Sequence, residues 1–178
     1  MKKLRVFVSA PGDIHEERQI VKEGIALLNK LQHRIGIQIE VIDFETDIPS
    51  HFGNSPQKLI DNYIGEYDFY VGIMWNRFGT PTKEAGSGTE HEFNKAYESR
   101  VSRGRPDLMF FFKTLPFYPG NIQEIEEFRK VLEFKDRIKQ LGIYKEYGSA
   151  DQFRTIFTSN FYQRIDKLTV SKSMTSSP

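Results

Sequence analysis

Short apolar runs alternate with amphipathic segments along almost the whole chain. The runs are typical of parallel strands that are buried on both faces, and the segments repeat apolar residues every three or four positions, as helices do. The predicted strands are residues 4–10, 37–44, 67–74, 106–113 and 143–147. The predicted helices are residues 13–35, 55–64, 89–101, 121–141 and 149–168.

This βαβαβαβαβα alternation predicts a single α/β domain. It requires a parallel sheet with right-handed crossovers and helices on both faces. We expect a three-layer, flavodoxin-like sandwich with the strand order 2-1-3-4-5 and the short, amphipathic last strand at an edge. The domain is predicted to span residues 1–168, and the polar, Ser-rich residues 169–178 to form a disordered tail or the start of a linker.

The spacing of apolar residues also predicts which helix faces are buried. For the first helix this face is Val21, Ile25, Leu28 and Leu31. For the fourth it is Ile125, Phe128, Leu132 and Ile138, and for the last it is Phe153, Phe157, Phe161, Ile165 and Leu168.

Composition narrows the class of protein. The 178 residues carry a net charge of only +1, which gives no electrostatic argument for a nucleic-acid partner. The absence of cysteine excludes disulfides, thiolate nucleophiles and Cys-ligated metal sites. No run approaches the roughly 20 apolar residues of a membrane helix, and the apolar amino-terminal run is too short for a signal peptide. We therefore expect a soluble, cytoplasmic protein with no membrane partner.

Candidate binding residues follow the first and third strands. In an open α/β sheet, ligands bind outside the carboxyl ends of the strands, where the strand order reverses. The residues predicted to line this crevice are Ser9, Ala10, Asp13, Trp75, Asn76 and Arg77. Two of them have structural alternatives, because Asp13 can cap the first helix and Trp75 can simply pack.

Two carboxylates, Glu90 and Glu92, begin the helix after the third strand. If Thr89 is the cap of this helix, Glu92 occupies the third helical position, where a capping box places Glu. If Ser87 is the cap, Glu90 takes that position instead. The helical periodicity does not choose between them, so either carboxylate is a candidate catalytic group.

Four segments together carry a family resemblance: residues 6–18 (VFVSAPGDIHEER), 75–79 (WNRFG), 87–93 (SGTEHEF) and 144–147 (YKEY). In combination they resemble the domain of unknown function 4062 family over about residues 3–168. That family is a distant relative of TIR domains and often stands at the amino terminus of large sensor proteins that bear an NTPase. The resemblance implies a TIR-like fold, with self-association or association with an NTPase sensor.

A second resemblance concerns chemistry. Residues 88–93 are similar to the Gly-Thr-x-x-Glu helix start of nucleoside 2-deoxyribosyltransferases, whose Glu is the nucleophile, and the matching residue here is Glu92. TIR enzymes also carry a catalytic Glu on the helix after the third strand and cleave NAD between nicotinamide and ribose. Both likenesses favour Glu92 over Glu90 and imply an N-glycosidic substrate.

In that interpretation Trp75 stacks on a base, while Arg77 or Asn76 binds a phosphate or hydroxyl group. The resemblance implies NAD or a related nucleotide as substrate in a defence or signalling context, with no metal or separate cofactor. The alternatives are a non-enzymatic interaction or oligomerisation module, and a sensor that binds a nucleotide without turning it over.

Overall fold

The computed structural model describes residues 2–32, 36–43, 65–81 and 85–173. In chain order the elements are β1 (Lys2–Ser9), α1 (His15–Gln32), β2 (Ile37–Asp43), β3 (Phe69–Met74), α2 (Gly88–Arg103), β4 (Asp107–Lys113), α3 (Ile122–Leu141), β5 (Lys145–Tyr147) and α4 (Ala150–Ser173). The helix predicted at residues 55–64 and the loop before it lie outside the described residues. No helix within these ranges is both long enough and apolar enough to cross a bilayer.

The strands form a five-stranded sheet in the order β2-β1-β3-β4-β5, and all four pairings are parallel. This confirms the predicted flavodoxin-like order. The central pair is β1 with β3, in which Ser9 is opposite Gly72. The carboxyl ends of these two strands therefore lie side by side. The short strand β5 pairs with β4 at the edge of the sheet, as predicted.

Two apolar layers cover the two faces of the sheet, because successive strand residues point to opposite sides. One layer joins Val6, Val8 and Val71 to helices α1 and α4. The other joins Phe7 and Tyr70 to helices α2 and α3. Ser9 follows Phe7 at the same alternation, so it belongs to the α2 side of β1.

Aromatic rings fill much of both layers. On α4 the rings of Phe153, Phe157 and Phe161 stack in succession, with centroids 5.8 and 5.5 Å apart, and all three are fully buried. On the other face, the ring of Phe110 lies so close over Gly72 that a Cβ atom there would stand 2.3 Å from it. Only glycine fits at this position of β3.

The buried face of α3 differs from the predicted one. Ile125 and Leu132 are 52% and 45% exposed, whereas Val131, Phe134 and Ile138 are buried against the sheet. The prediction for Ile125 and Leu132 was wrong because apolar residues lie on two sides of α3, and the sheet covers the side of Val131, Phe134 and Ile138.

The ends of α1 and α4 also differ from the prediction. Leu31, predicted to be buried, is 63% exposed in the last turn of α1, past the stretch of this helix that packs on the sheet. Helix α4 continues to Ser173, beyond the predicted domain boundary at residue 168.

Candidate active site at the carboxyl edge of the sheet

Helix α2 is capped by Ser87, and this assigns a structural role to Glu90. The hydroxyl oxygen of Ser87 accepts a hydrogen bond from the Glu90 backbone N–H at 3.1 Å. The Glu90 carboxylate in turn accepts from the Gly86 backbone N–H at 2.7 Å, and it also pairs with Arg137 at 2.9 Å. Of the two capping arrangements that the sequence allowed, the structure has the one that leaves Glu92 out of the cap.

Glu92 is instead a buried carboxylate that contacts the central strand. It is only 4% exposed, and its Oε2 atom accepts a hydrogen bond from the hydroxyl of Ser9. Ser9 is the last residue of β1 and is fully buried. The fold therefore joins two predicted site residues that are 83 positions apart in the sequence.

Tyr70 is a third buried polar group beside this pair, and the sequence analysis missed it. Its side chain is fully buried, and its hydroxyl lies next to Ser9, whose hydrogen bond acts on it. Burial, and then the nearby charge of Glu92, raises the pKa of Tyr70 well above its ordinary value, so the hydroxyl stays protonated. The available signal was strand alternation, which places Tyr70 on the same face as Phe7 and Ser9.

A cavity of about 390 Å³ opens beside Glu92, a volume suited to a small molecule. From Glu92 its described lining follows α2 over Lys95, Ser99 and Arg103 and reaches the residues that precede β3 and β4, namely Gly65, Glu66, Tyr67, Arg105 and Pro106. This lining combines aromatic, cationic, anionic and hydroxyl groups, and the cavity extends along α2 from Glu92 toward the amino ends of β3 and β4. The predicted residues that follow β3 are not part of it.

Asp13 lies in the loop after β1, and it does not cap α1. Both of its carboxylate oxygens are buried, and neither has a hydrogen-bond partner among the described side chains and backbone groups of other residues. Burial raises the pKa of Asp13, and the charge of Glu17 adds to this effect, while Arg77 and Lys113 oppose it. The expected capping role is wrong because this carboxylate does not reach the first turn of the helix.

Asn76 and Arg77 follow β3 directly across from that loop. The Oδ1 atom of Asn76 is buried and has no hydrogen-bond partner in the described ranges. Arg77 is exposed and exerts its charge on Asp13. The structure thus brings Asp13 and the segment after β3 together, as the predicted strand order required.

Trp75 makes contacts that hold its ring in place. Its indole N–H donates to the Leu115 carbonyl at 2.8 Å, and its ring meets the edge of Phe117 at a centroid distance of 6.0 Å. The Lys113 ammonium group lies 5.0 Å from the ring centroid, over one face. These contacts agree with the packing alternative, and base stacking by Trp75 stays a prediction.

The backbone carbonyl of Ala10 is bound by a residue of a buried ion pair, and Ala10 itself is buried. Its carbonyl accepts a hydrogen bond from Arg18, which also pairs with Asp43 at the end of β2. Lys22 reaches the same Asp43 carboxylate at 3.0 Å. Arg18 and Asp43 are both almost fully buried, so this clamp ties the ends of β1 and β2 to α1.

A second cluster of polar side chains lies at the carboxyl ends of β4 and β5. It consists of Lys113, Tyr147 and the neighbouring Glu17 of α1, which were not among the predicted site residues. The Lys113 ammonium is 2.8 Å from the Glu17 carboxylate, which is 1% exposed. Burial, and then the charge of Glu17, raises the pKa of Tyr147. The same rule that selected the ends of β1 and β3 points to these residues, since they too lie at carboxyl strand ends.

No set of three or more His, Asp and Glu side chains in the described ranges is arranged to hold a metal ion. The side chains at this edge are hydrogen-bonding and charged groups, which suit a polar organic ligand.

Comparison with known proteins gives one assignment. A family model described as "Domain of unknown function (DUF4062)" matches residues 5–161. A search of curated proteins found no significant match.

Proposed function

The chain belongs to the DUF4062 family, and from its buried carboxylate we propose that it is a cytoplasmic, TIR-like effector domain that cleaves the N-glycosidic bond of NAD or a related nucleotide. The observation that carries this proposal is the position of Glu92. It is buried at the carboxyl edge of the central strands, contacts Ser9 and borders a cavity.

The chemistry needs one well-placed carboxylate. When the bond between the sugar C1′ and the base nitrogen breaks, its electron pair leaves with the base and positive charge develops on the sugar. Glu92 stabilises this charge, or attacks C1′ to form a covalent intermediate. Water then adds to C1′ and gives up one proton to solvent or to the departed base, so that the products are the free base and the ribosyl group with a new 1′-hydroxyl. Burial strengthens the electrostatic effect of Glu92 because the surroundings screen it less than water does.

Ser9 and Glu90 support the assignment in different ways. The hydrogen bond from Ser9 orients the Glu92 carboxylate and stabilises its charged form. The helix cap and the ion pair with Arg137 already engage Glu90, so Glu92 is the better candidate of the two.

Replacing Glu92 with Gln tests the proposal, with Glu90→Gln as the matched control. We expect wild type at high protein concentration to release nicotinamide from NAD, and Glu92→Gln to be slower by at least about a hundredfold. Glu90→Gln retains most of the activity, since it alters only the cap and a surface ion pair. Product release is followed by chromatography, and circular dichroism checks that both variants fold.

Two results contradict the proposal. One is equal release by wild type and Glu92→Gln. The other is no release of base from NAD, NADP or common nucleosides by folded wild type, including protein tethered into oligomers.

A second candidate function is self-association without catalysis, and the exposed face of α3 favours it. Ile122, Ile125 and Leu132 are 78%, 52% and 45% exposed on this helix, and their spacing places them on one side of it. A second copy of the chain is the simplest occupant of such a face. Sedimentation of wild type and of an Ile122→Ser/Ile125→Ser variant tests this, and a monomeric wild type over the whole accessible concentration range contradicts it.

A further inference from the structure

Two buried hydrogen-bond acceptors in the loops after β1 and β3 indicate which class of ligand this domain binds. They are the carboxylate of Asp13 and the amide oxygen of Asn76, whose oxygens are buried and accept no hydrogen bond from another residue in the part of the chain that the structure describes; the Asp13 carboxylate interacts with its own backbone N–H. A buried acceptor without a donor costs about 1–3 kcal/mol, so most native proteins pair such groups. Two of them on adjacent strand ends indicate a place where a ligand supplies the donors.

The strand register places the loops that carry these two residues side by side. Ser9 is paired with Gly72 across β1 and β3, and Asp13 and Asn76 each follow four positions later. The charge of Arg77, the next residue, acts on Asp13. The two loops therefore face each other across the point where the strand order reverses, which is the usual ligand position in such sheets.

The surrounding charges favour a neutral donor over a metal ion. Glu17 lies near Asp13, but Lys113 and Arg77 also act on it, so two cations accompany the two carboxylates. A divalent cation would be repelled by both basic groups. A pair of hydroxyl groups offers two donors without adding charge, and a carboxylate accepts from both at once.

The loop that carries Asp13 lies at the surface. Asp13 is partly exposed as a residue although its oxygens are buried, and Gly12 before it is exposed.

We propose that Asp13 and Asn76 bind the vicinal hydroxyls of a ribose, which makes the ligand of this domain a ribonucleotide and not a 2′-deoxyribonucleotide. The exposed guanidinium of Arg77 supplies positive charge beside them for the phosphate of the same molecule. This inference rests on the proposed function for the kind of ligand and adds its sugar. A site that offers acceptors to hydroxyl groups rejects an analogue that lacks one of them, because its buried acceptor is again unpaired.

Calorimetric binding to the Glu92→Gln chain tests the inference without loss of ligand by turnover. The probes are AMP, 2′-deoxy-AMP and 3′-deoxy-AMP. We expect AMP to bind about 10- to 100-fold more tightly than either deoxy analogue, the range for a lost hydrogen bond to a charged group. Asp13→Ala in the same background is expected to bind all three probes with similar, weak affinity. Asp136→Ala, which removes an exposed carboxylate from α3, is the matched control and keeps the preference.

Several outcomes overturn the inference: equal affinity for the three probes, a preference that survives Asp13→Ala, no AMP binding by folded protein, or AMP binding only when Mg²⁺ is present. The comparison among probes uses intact Asp13, so it holds even if Asp13→Ala does not fold, and Asn76→Ala is then the second variant.

Failure of this inference and failure of the proposed function give different results. Glu92-dependent release of base with no preference for ribose removes the sugar assignment and leaves the enzymatic proposal. A clear preference for AMP with no turnover of any nucleotide removes the enzymatic proposal and leaves the sugar assignment. The protein is then a nucleotide sensor.

Discussion

At the scale of single residues, buried polar groups fall into two kinds. Arg18 and Asp43 are buried as a pair, and the Ala10 carbonyl completes the bonding of the guanidinium. Such a pair offsets much of the cost of removing charge from water. Asp13 is buried with no partner of that kind. A buried charge whose removal from water is not offset by a nearby partner is typical of residues that serve binding rather than stability.

Replacing Asp13 with Asn is expected to stabilise the protein at neutral pH. The gain in the free energy of unfolding is up to about 1 kcal/mol, because residual solvent contact screens part of the charge. Burial raises the pKa of Asp13 above its ordinary value of 3.8. The folded state therefore binds the proton more tightly than the unfolded chain.

This pKa shift has a definite sign in the pH dependence. The stability that the raised pKa contributes is fully present below the unfolded pKa and is lost as the pH rises through the folded value. Urea unfolding of wild type and variant over this acidic range measures the difference. The free energy of unfolding of the variant relative to that of wild type is expected to increase with pH. A difference that does not change with pH, or a variant that is less stable at neutral pH, contradicts the raised pKa of Asp13.

At the scale of elements, the first turns of α2, α3 and α4 are each defined by a polar residue that precedes the helix. Ser87, Asn121 and Ser149 each accept a hydrogen bond from the backbone N–H three positions later, at 3.1, 2.9 and 3.2 Å. These bonds satisfy amide groups that the helix itself leaves unpaired. In α2 the cap also decides which of two carboxylates is available for chemistry.

Ser87→Ala is expected to lower the free energy of unfolding by about 1 kcal/mol, the usual loss when a helix cap is removed. Ser102→Ala is the matched control, because Ser102 is exposed inside the same helix and alanine favours the helix there. Chemical unfolding of the two variants gives the comparison. Equal stabilities would show that Ser87 does not hold the start of α2.

At the scale of the whole molecule, two aromatic layers on opposite faces of one sheet hold the domain together. The layer under α4 places three stacked rings against the sheet, where Phe111 meets Phe153 and Phe157. The other layer supports α2 and thereby the Glu92 site, since Phe93 packs on both Tyr70 and Phe110.

Phe157→Ala is expected to cost about 3–5 kcal/mol in the free energy of unfolding, as for other large-to-small changes in a packed core. Phe157 is fully buried between two other rings. Leu31→Ala changes the stability by no more than about 0.5 kcal/mol, because Leu31 is 63% exposed. Thermal and urea unfolding measure both, and a comparable loss for the two variants would contradict the burial of α4 described here.

The sequence by itself determined the strand order and most of the core. Local periodicity reports which residues avoid water, and the alternation of strands and helices leaves few topologies. It also led to Ser9 and Glu92 as candidate site residues, through the rule for strand ends and the family resemblance, and these two residues are in contact. It failed for Ile125, Leu132 and Leu31, because periodicity shows that a face is apolar and not whether another element covers it.

Only the tertiary structure decided the contacts between distant segments. Which of Glu90 and Glu92 takes part in the helix cap depended on whether Ser87 or Thr89 capped α2, and both fit the same sequence pattern; the structure has Ser87 as the cap and Glu90 beside it. The bond from Ser9 to Glu92, the unpaired carboxylate of Asp13 and the buried hydroxyl of Tyr70 depend on distances across the sheet. No local pattern contains such distances, since they arise only when strands far apart in the chain come together.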